Sequence, residues 1–209
     1  MANEEEKQRK EICETMRKLY ERNLISTVGG NASIILRKKS AVLITPSGSN
    51  KSELVPKDIV KVSINGLVLG KGKPSSETIN HTEIYKKRTD INAIVHAHPP
   101  FFTGIASSGY TPKAITPEQT LLANNLTIID FVVPGKDSVI SLTKALEKSN
   151  VVIIKNHGVF SVGKDLMECF VRIEILEEVG KMVFAGKLFG GINELSQENV
   201  KNLSNRYNK

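Results

Sequence analysis

Two of the four histidines in the chain stand two residues apart in an apolar segment, Ile91–His98, which reads INAIVHAH. This composition predicts a β-strand. Because successive side chains of a strand point to opposite faces, His96 and His98 lie on the same face. Two neutral imidazoles on one face can bind one divalent cation, and a catalytic site of this kind commonly uses three protein ligands and leaves one position open. A third ligand is therefore needed from elsewhere in the chain.

Of the other two histidines, His157 is the better candidate for the third ligand. It lies in the segment Asn156-His157-Gly158, directly after an apolar run. The glycine lets the backbone bend there, so the imidazole can project from the rim of a sheet. His81 lies in the middle of a predicted helix, and we interpret it as a surface or packing residue. The alternative for the His-x-His pair is two surface or half-buried histidines without a metal.

Three small polar loops could bind an anion. They span residues 29–33, 45–49 and 73–77 and carry glycine, serine, threonine and asparagine. Together their backbone N–H groups and hydroxyls predict a phosphate site, and the last loop opens a helix whose dipole favours an anion. Taken singly, each loop is an ordinary turn or cap. Glu77 has two interpretations, because it can stabilise the helix N-terminus or act as a metal ligand or general base.

The elements that must position these residues alternate between helices and strands. Hydrophobic periodicity and turn residues predict helices over 4–22, from Ser75 or Ser76 to about 88, 102–107, after Pro117, 138–148 and 165–189, with a polar, flexible tail from about 192. They predict hairpins of 32–36 with 41–45 and of 59–64 with 67–69, and further strands over 91–98, 127–133, 151–155 and 159–162. The hairpins favour a mixed, mostly antiparallel sheet in one α/β domain over residues 1–209.

Composition narrows the function classes. The 209 residues are 40% hydrophobic and 24% charged, as in folded globular domains. No apolar run approaches the roughly 20 residues that cross a bilayer, and the N-terminus is charged, so we expect a cytoplasmic protein without a membrane partner. Cys13 and Cys169 lie on apolar helix stripes and are expected in the core. A net charge of +7 without tryptophan suits an anionic small substrate, and we expect no nucleic-acid partner.

Five motifs occur in an order that resembles the class II aldolase/adducin family, and within it the branch that acts on fuculose 1-phosphate. The motifs are Gly30-Asn31-x-Ser33, Thr45-Pro-Ser-Gly48, Pro74-Ser-Ser-Glu77, His96-x-His98 and Asn156-His-Gly158. The resemblance covers about residues 8–190. It implies a three-layer α/β/α sandwich and a homotetramer with active sites at subunit interfaces. It also implies a lyase of carbohydrate metabolism that takes a phosphorylated sugar as its substrate.

The resemblance also assigns residues to roles. Matching of motif positions makes His96, His98 and His157 the metal ligands, and makes Glu77 both the catalytic acid/base and a fourth ligand in the substrate-free state. The residues implied to bind the substrate phosphate are Asn31, Ser47, Gly48, Ser75 and Ser76. The implied reaction cleaves a ketose 1-phosphate into dihydroxyacetone phosphate and an aldehyde such as lactaldehyde. It needs one divalent ion per subunit; imidazole ligands suit zinc, cobalt, nickel or iron, and zinc is the expected choice.

One stretch departs from the aldolase pattern. Aldolases of this branch resemble one another in a tyrosine, contributed by a neighbouring subunit, after the His-x-His strand. Here residues 115–120 read ITPEQT, with Glu118 or Gln119 near that place. Related dehydratases are similar in having a glutamate in this loop, so Glu118 is a catalytic candidate, and dehydration, epimerisation or decarboxylation are alternative reactions. Tyr207 resembles a tail tyrosine that closes over the site. Adducin-like members are non-catalytic, but three histidines and an acidic residue favour an enzyme here.

Overall fold

The computed structural model describes residues 2–111 and 113–207. Its strands are β1 (Asn31–Leu36), β2 (Ala41–Ile44), β3 (Val60–Ser63), β4 (Ala93–Ala97), β5 (Leu126–Ile129), β6 (Val151–Ile154) and β7 (Gly158–Gly163). They form one sheet in the order β3-β2-β1-β4-β7-β6-β5. Every neighbouring pair is antiparallel except β5 with β6, which is parallel. The prediction of a mixed, mostly antiparallel sheet is confirmed.

Helices cover both faces of this sheet. They are α1 (Ala2–Glu21), α2 (Thr78–Lys87), α3 (Pro100–Ser107), α4 (Pro117–Leu122), α5 (Val139–Leu146), α6 (Leu166–Leu188) and α7 (Gln197–Tyr207). One core contains Val95 of β4 with side chains of α1, α3 and α6, and includes both cysteines. A second core contains the next residue back, Ile94, with side chains of α2 and α5. Successive side chains of β4 thus point into two different cores, one on each face of the sheet. The prediction of a three-layer α/β/α sandwich is confirmed.

The structure differs from the sequence prediction in four places. Residues 67–69 make only an isolated bridge to β3, at Val68, and Leu67 is 70% exposed, so no second arm of that hairpin is buried. β5 ends at Ile129 rather than at residue 133. Its partner β6 ends at Ile154, directly opposite Ile129. The helix predicted from Ser75 or Ser76 begins at Thr78. The polar segment after 192 contains α7, whose first turn is closed by Ser196 Oγ accepting from Asn199 N at 3.1 Å.

Four strand ends meet at one end of the sheet. β4 is antiparallel to both β1 and β7, and the register places Asn31 and Phe160 on either side of His96. β2 ends beside the start of β1, where Thr45 N donates to Ala32 O at 3.1 Å. The loops that follow β2 and β4 and that precede β1 and β7 therefore open at the same end. No helix of the described residues is long and apolar enough to cross a membrane.

Candidate active site

The three histidines selected from the sequence meet at this end of the sheet. Nε2 of His96 lies 3.2 Å from Nε2 of His157 and 3.0 Å from Nε2 of His98. One ligand atom from each lies within 4.8 Å of those of the other two. Three nitrogens bound tetrahedrally to one zinc at about 2.05 Å would lie about 3.3 Å from one another. The spacing of the three rings therefore suits a shared cation.

His96 is held in the form that binds a metal. Its Nδ1 lies 3.0 Å from the carbonyl oxygen of Val159, which can only accept, so Nδ1 carries the hydrogen and Nε2 keeps its lone pair. The ring stacks on Phe160 with centroids 4.1 Å apart. Burial, and then the neighbouring His98 and His157, hold the pKa of His96 well below its ordinary range. Burial also lowers the pKa of His98 to about 4 and lowers the pKa of His157. All three rings are neutral at pH 7.

The side chain of Glu77 lies beside the histidines and does not cap helix α2. It occupies the N-cap position of α2, but its side chain makes no capping hydrogen bond. Its Oε2 instead accepts from Nδ2 of Asn31 at 2.8 Å and lies 3.3 Å from Nε2 of His96. Burial raises the pKa of Glu77, and the hydrogen bond from Asn31 opposes that rise. Glu77 therefore lies at the N-terminus of α2, where its charge can stabilise the helix, but its hydrogen bond goes to the site and not to the helix.

The donor set passes a test of fit to a divalent ion. Oε1 of Glu77 and Nδ1 of His157 are buried without a hydrogen-bond partner among the described residues. Within that part of the chain, the ion-pair contact of Glu77 is with His96, which is neutral. A buried carboxylate costs free energy when no positive charge balances it. A divalent cation among the three nitrogens would supply that charge, so these residues can hold a metal ion.

Glycines let the backbone approach the rings closely. A Cβ on Gly158 would lie 2.4 Å from the carbonyl oxygen of Ala97 and 2.6 Å from Cδ2 of His98. Gly30 has φ +72°, and a Cβ there would lie 2.9 Å from the carbonyl oxygen of His96. Larger residues at these two positions would push apart the strand ends that carry the histidines.

A cleft of about 200 Å³ opens beside the histidines and Glu77. The five residues predicted to bind phosphate all line it: Asn31, Ser47, Gly48, Ser75 and Ser76. The loops after β2 and before α2 are held together by a bridge between Pro46 and Pro74, and by Ser47 N donating to Lys73 O at 2.9 Å. The fold therefore joins the polar loops and the histidines in one pocket.

Asn31 and His81 form a buried connection to Glu77. Asn31 donates to Glu77 through Nδ2, and its Oδ1 lies 2.6 Å from Nε2 of His81. His81 is 0% exposed, so the interpretation of His81 as a surface residue is wrong. The sequence prediction did not connect His81 to the site. The available signal was its position one helical turn after Glu77, at i+4.

Lys51 is a second residue that sequence reasoning missed. It lines the same cleft and is only 2% exposed. Its Nζ donates to Ser49 Oγ at 3.0 Å and to the carbonyl oxygen of Pro46. Burial lowers the pKa of Lys51 to about 8. It belongs to none of the ion pairs in the described part of the chain, so an ammonium is buried here without a carboxylate partner.

Two predicted catalytic candidates lie away from the cleft. Glu118 is exposed on α4, and Tyr207 is 60% exposed at the end of α7, which packs against α4. Gln119, the alternative to Glu118, is 3% exposed and holds its own loop, with Oε1 accepting from Ile115 N at 2.9 Å. Roles for Glu118 and Tyr207 stay predictions that require a neighbouring subunit.

The chain is similar to known proteins both in sequence and in structure. The family model described as Class II Aldolase and Adducin N-terminal domain matches residues 10–184. L-fuculose phosphate aldolase of Methanocaldococcus jannaschii is 35% identical over 180 residues, which cover 86% of this chain and 97% of that protein. 3-oxo-tetronate 4-phosphate decarboxylase of Haemophilus influenzae is 31% identical over 198 residues, covering 91% and 92%. A solved structure named L-fuculose 1-phosphate aldolase aligns with TM-score 0.87 and 29% identity over 97% of both chains.

Proposed function

This chain belongs to the class II aldolase and adducin family, and from that premise we propose that it is a metal-dependent lyase acting on a sugar phosphate. The reaction proposed is cleavage of a ketose 1-phosphate of the fuculose 1-phosphate type into dihydroxyacetone phosphate and an aldehyde such as lactaldehyde. The observation that carries the proposal is the meeting of three imidazole Nε2 atoms with the buried carboxylate of Glu77 at the wall of a polar cleft. The whole chain is taken to act as one domain.

We assign the metal to His96, His98 and His157, with Glu77 as a further ligand when no substrate is bound. Three neutral imidazoles and one carboxylate suit zinc by ligand type, so zinc is the proposed ion, one per subunit. When bound, the ion supplies Lewis-acid polarisation of the substrate carbonyl. The chain's own contribution is to keep the three rings neutral and converging, which the hydrogen bond from His96 to Val159 supports.

Glu77 is the residue proposed to move the proton at the substrate carbon. Cleavage breaks the bond between C3 and C4, the electron pair moves toward C3 and the C2 carbonyl, and C3 then takes a proton to complete dihydroxyacetone phosphate. A carboxyl that delivers a proton near neutral pH needs a pKa above the ordinary range. Burial raises the pKa of Glu77 in this direction. Because Oε1 lacks a partner among the described residues, it is the oxygen available for this transfer.

Release of the aldehyde also needs a group that takes the proton of the C4 hydroxyl. The described residues of a single chain place no tyrosine in the cleft. Glu118 and Tyr207 remain the candidates, and each would act from a neighbouring subunit. A homotetramer with active sites at subunit interfaces is therefore part of the proposal. It is supported by Phe131 and Val133, which are 53% and 55% exposed just before Pro134, a residue of the cleft wall.

The substrate phosphate is proposed to bind between the two loops of the cleft. Hydroxyls of Ser47, Ser75 and Ser76 are available there, and Gly48 has φ +69° and adds no side chain. Lys51 adds the positive charge that the sequence prediction lacked. A phosphate would give this buried ammonium the anionic partner that the described residues do not provide.

A second candidate reaction is decarboxylation of an oxo sugar-acid phosphate. It is favoured by the absence of a tyrosine in residues 115–120, because loss of carbon dioxide requires no group to deprotonate a hydroxyl. The 31% identical relative carries a decarboxylase name. Both reactions break a carbon–carbon bond beside a carbonyl and then need a proton at carbon, so the proposed role of Glu77 is the same in both. Dehydration and epimerisation keep the same site but give other products.

The deciding experiment supplies zinc-loaded protein with fuculose 1-phosphate and with 3-oxo-tetronate 4-phosphate. Dihydroxyacetone phosphate is measured enzymatically, carbon dioxide by trapping, and all other products by mass spectrometry. Release of dihydroxyacetone phosphate from fuculose 1-phosphate that stops after chelation and returns with zinc supports the aldolase proposal. Decarboxylation of 3-oxo-tetronate 4-phosphate also leaves dihydroxyacetone phosphate, so the second candidate is supported by equal amounts of carbon dioxide and dihydroxyacetone phosphate from that substrate. Turnover that survives thorough metal removal contradicts both.

A further inference from the structure

We infer that His81 is a positioning residue of the active site. Its Nε2–H fixes the side-chain amide of Asn31, so that the amide nitrogen always faces Oε2 of Glu77 and Oε1 is the carboxyl oxygen presented to substrate. The inference rests on the proposed role of Glu77 as the residue that moves the proton. It adds to that proposal a reason why one carboxyl oxygen, and not the other, does so.

The direction of each hydrogen bond follows from the carboxylate. As a carboxylate, Oε2 of Glu77 only accepts, and the structure places the nitrogen Nδ2 of Asn31 2.8 Å from it. The oxygen of the amide then faces His81, and at 2.6 Å it accepts, so the hydrogen of the neutral ring sits on Nε2. Nδ1 of His81 is left as an acceptor, 2.6 Å from Ser33 Oγ, which donates to it.

The far end of this chain of hydrogen bonds is also closed. Ser33 Oγ lies 2.9 Å from the hydroxyl of Tyr85, which lies 3.0 Å from the carbonyl oxygen of Ser33. Ser33 and His81 are 0% exposed, Tyr85 is 1% exposed and Asn31 is 4% exposed. Every polar side-chain atom between Tyr85 and Oε2 of Glu77 therefore has a partner, and none depends on bulk water.

Reversing the direction of these hydrogen bonds would require two concerted changes. The hydrogen of His81 would have to move from Nε2 to Nδ1, and the amide of Asn31 would have to rotate by half a turn. Both changes would have to take place away from bulk water, because His81 is 0% exposed and Asn31 is 4% exposed. With the ring closed off from solvent, the donor–acceptor order stays as it is, and Asn31 never offers an acceptor to Glu77.

The consequence for Glu77 is a difference between its two oxygens. Oε2 receives the hydrogen bond from Asn31, whereas Oε1 is buried and has no partner among the described residues. A hydrogen on Oε2 would point at a donor, so that oxygen is confined to accepting. His81 thereby orients the carboxyl from a distance, touching neither substrate nor metal ligands through its ring.

The first test does not depend on catalysis. Zinc-loaded protein labelled with nitrogen-15 in its histidine rings is studied by long-range proton–nitrogen correlation at pH 7, and the signals of His81 are identified by their loss in His81→Gln. The expected result is the Nε2–H tautomer, with Nδ1 unprotonated. Detection of the Nδ1–H tautomer would overturn the inference even if the protein proves to be an aldolase.

The second test compares variants by turnover. His81→Leu removes both nitrogens, and we expect kcat to fall about 10–100-fold, with KM within about threefold of wild type and unchanged zinc content. His81→Gln places an N–H donor at a similar distance from the backbone and should recover most of kcat. The matched control is Lys86→Gln, a change of an exposed residue on the same helix, which should leave kcat and KM unchanged.

The outcomes separate positioning from packing. Wild-type kcat in His81→Leu, or equal losses in the Leu and Gln variants, would reduce His81 to a packing residue and overturn the inference. If His81→Leu does not fold, the tautomer measured on wild-type protein and the kcat of His81→Gln still distinguish a positioning role of His81 from a packing role. Failure of wild-type protein to cleave any sugar phosphate would contradict the proposed function, while the tautomer result would stand by itself.

Discussion

Nε2 of His96 and Oε2 of Glu77 lie 3.3 Å apart, and both side chains are almost fully buried. The two atoms cannot hydrogen-bond to each other, because neutral His96 carries its hydrogen on Nδ1 and a carboxylate has only acceptors. Two buried acceptors at this distance repel unless a cation or a proton lies between them. The pair is therefore a built-in source of metal affinity, and it is the starting point for the first prediction.

Glu77→Gln is expected to separate catalysis from metal binding. Zinc affinity should fall because Glu77 is a ligand in the substrate-free state, but the three histidines remain, so at saturating zinc the content should stay near one per subunit while kcat falls about 10²–10⁴-fold, the range lost with a general acid/base. Deuterium uptake into dihydroxyacetone phosphate from heavy water, followed by mass spectrometry, should fall equally. Glu83→Gln on the same helix, where Glu83 pairs with Lys86 at 2.7 Å, is the matched control and should leave both measurements unchanged. Normal turnover in Glu77→Gln would remove the residue from the chemistry.

Lys51→Met should weaken binding of the phosphorylated substrate. Loss of one charge-assisted hydrogen bond costs about 1.5–3 kcal/mol, so KM should rise about 10–100-fold with a smaller change in kcat. Steady-state rates, together with inhibition by inorganic phosphate, measure this effect. Lys57→Met changes an exposed lysine nearby in the chain and should have no effect. An unchanged KM and unchanged phosphate inhibition in Lys51→Met would show that the buried ammonium serves the fold alone.

Gly158→Ala tests the close approach of the strands. The added Cβ would lie 2.4 Å from the carbonyl oxygen of Ala97, and we expect a loss of about 1–3 kcal/mol in unfolding free energy together with weaker zinc binding. Gly104→Ala is the contrasting control on α3. Nothing lies within 4 Å of its Cβ, and a helical glycine replaced by alanine should gain about 0.5–1 kcal/mol. Urea unfolding measures the free energy of unfolding of both variants, and zinc titration measures their affinity for the metal. Equal stabilities would show that the backbone at Gly158 moves aside without cost.

We expect the free energy of unfolding to fall in acid because of His81. Burial lowers its pKa to about 3 from an ordinary value of 6.5, so below pH 6.5 the unfolded chain takes up a proton that the folded chain does not. The contribution of His81 to stability is thus complete above pH 6.5 and declines toward pH 3, by about 1.4 kcal/mol per pH unit. Urea unfolding at pH 7, 6 and 5 should show a shallower decline in His81→Gln than in wild type. Parallel declines would mean that the ring of His81 is protonated in the folded protein.

Much of the candidate metal site could be predicted from patterns between neighbouring residues. The two-residue period of β4 put His96 and His98 on one face, and Gly158 marked the turn that carries His157. These signals are local because alternation and turn chemistry depend on neighbouring residues. The order of the polar loops pointed to one pocket, and the structure has that pocket.

The missed residues depend on tertiary packing instead. Lys51 follows a polar turn and looks like a solvated lysine until the loops close over it. His81 resembles an ordinary helix residue, and its connection to Glu77 exists only because β1 brings Asn31 between them. Helix α2 begins at Thr78 because the backbone of residues 75–78 forms a turn, in which Thr78 N donates to Ser75 O at 3.1 Å. The two contacts of Asn31 join residues about 50 positions apart in the chain, and no short pattern encodes them.

The strand order places β1, β4 and β7 side by side although they are far apart in sequence, and His96 meets His157 across 61 residues. During synthesis, a chain that has emerged only as far as the His-x-His pair holds two of the three nitrogens and no neighbour for β4 on the side of β7. Tight metal capture therefore has to wait until the segment through residue 163 is made and the centre of the sheet closes. A metal ion held by all three histidines would therefore stabilise only chains in which β1, β4 and β7 have already paired.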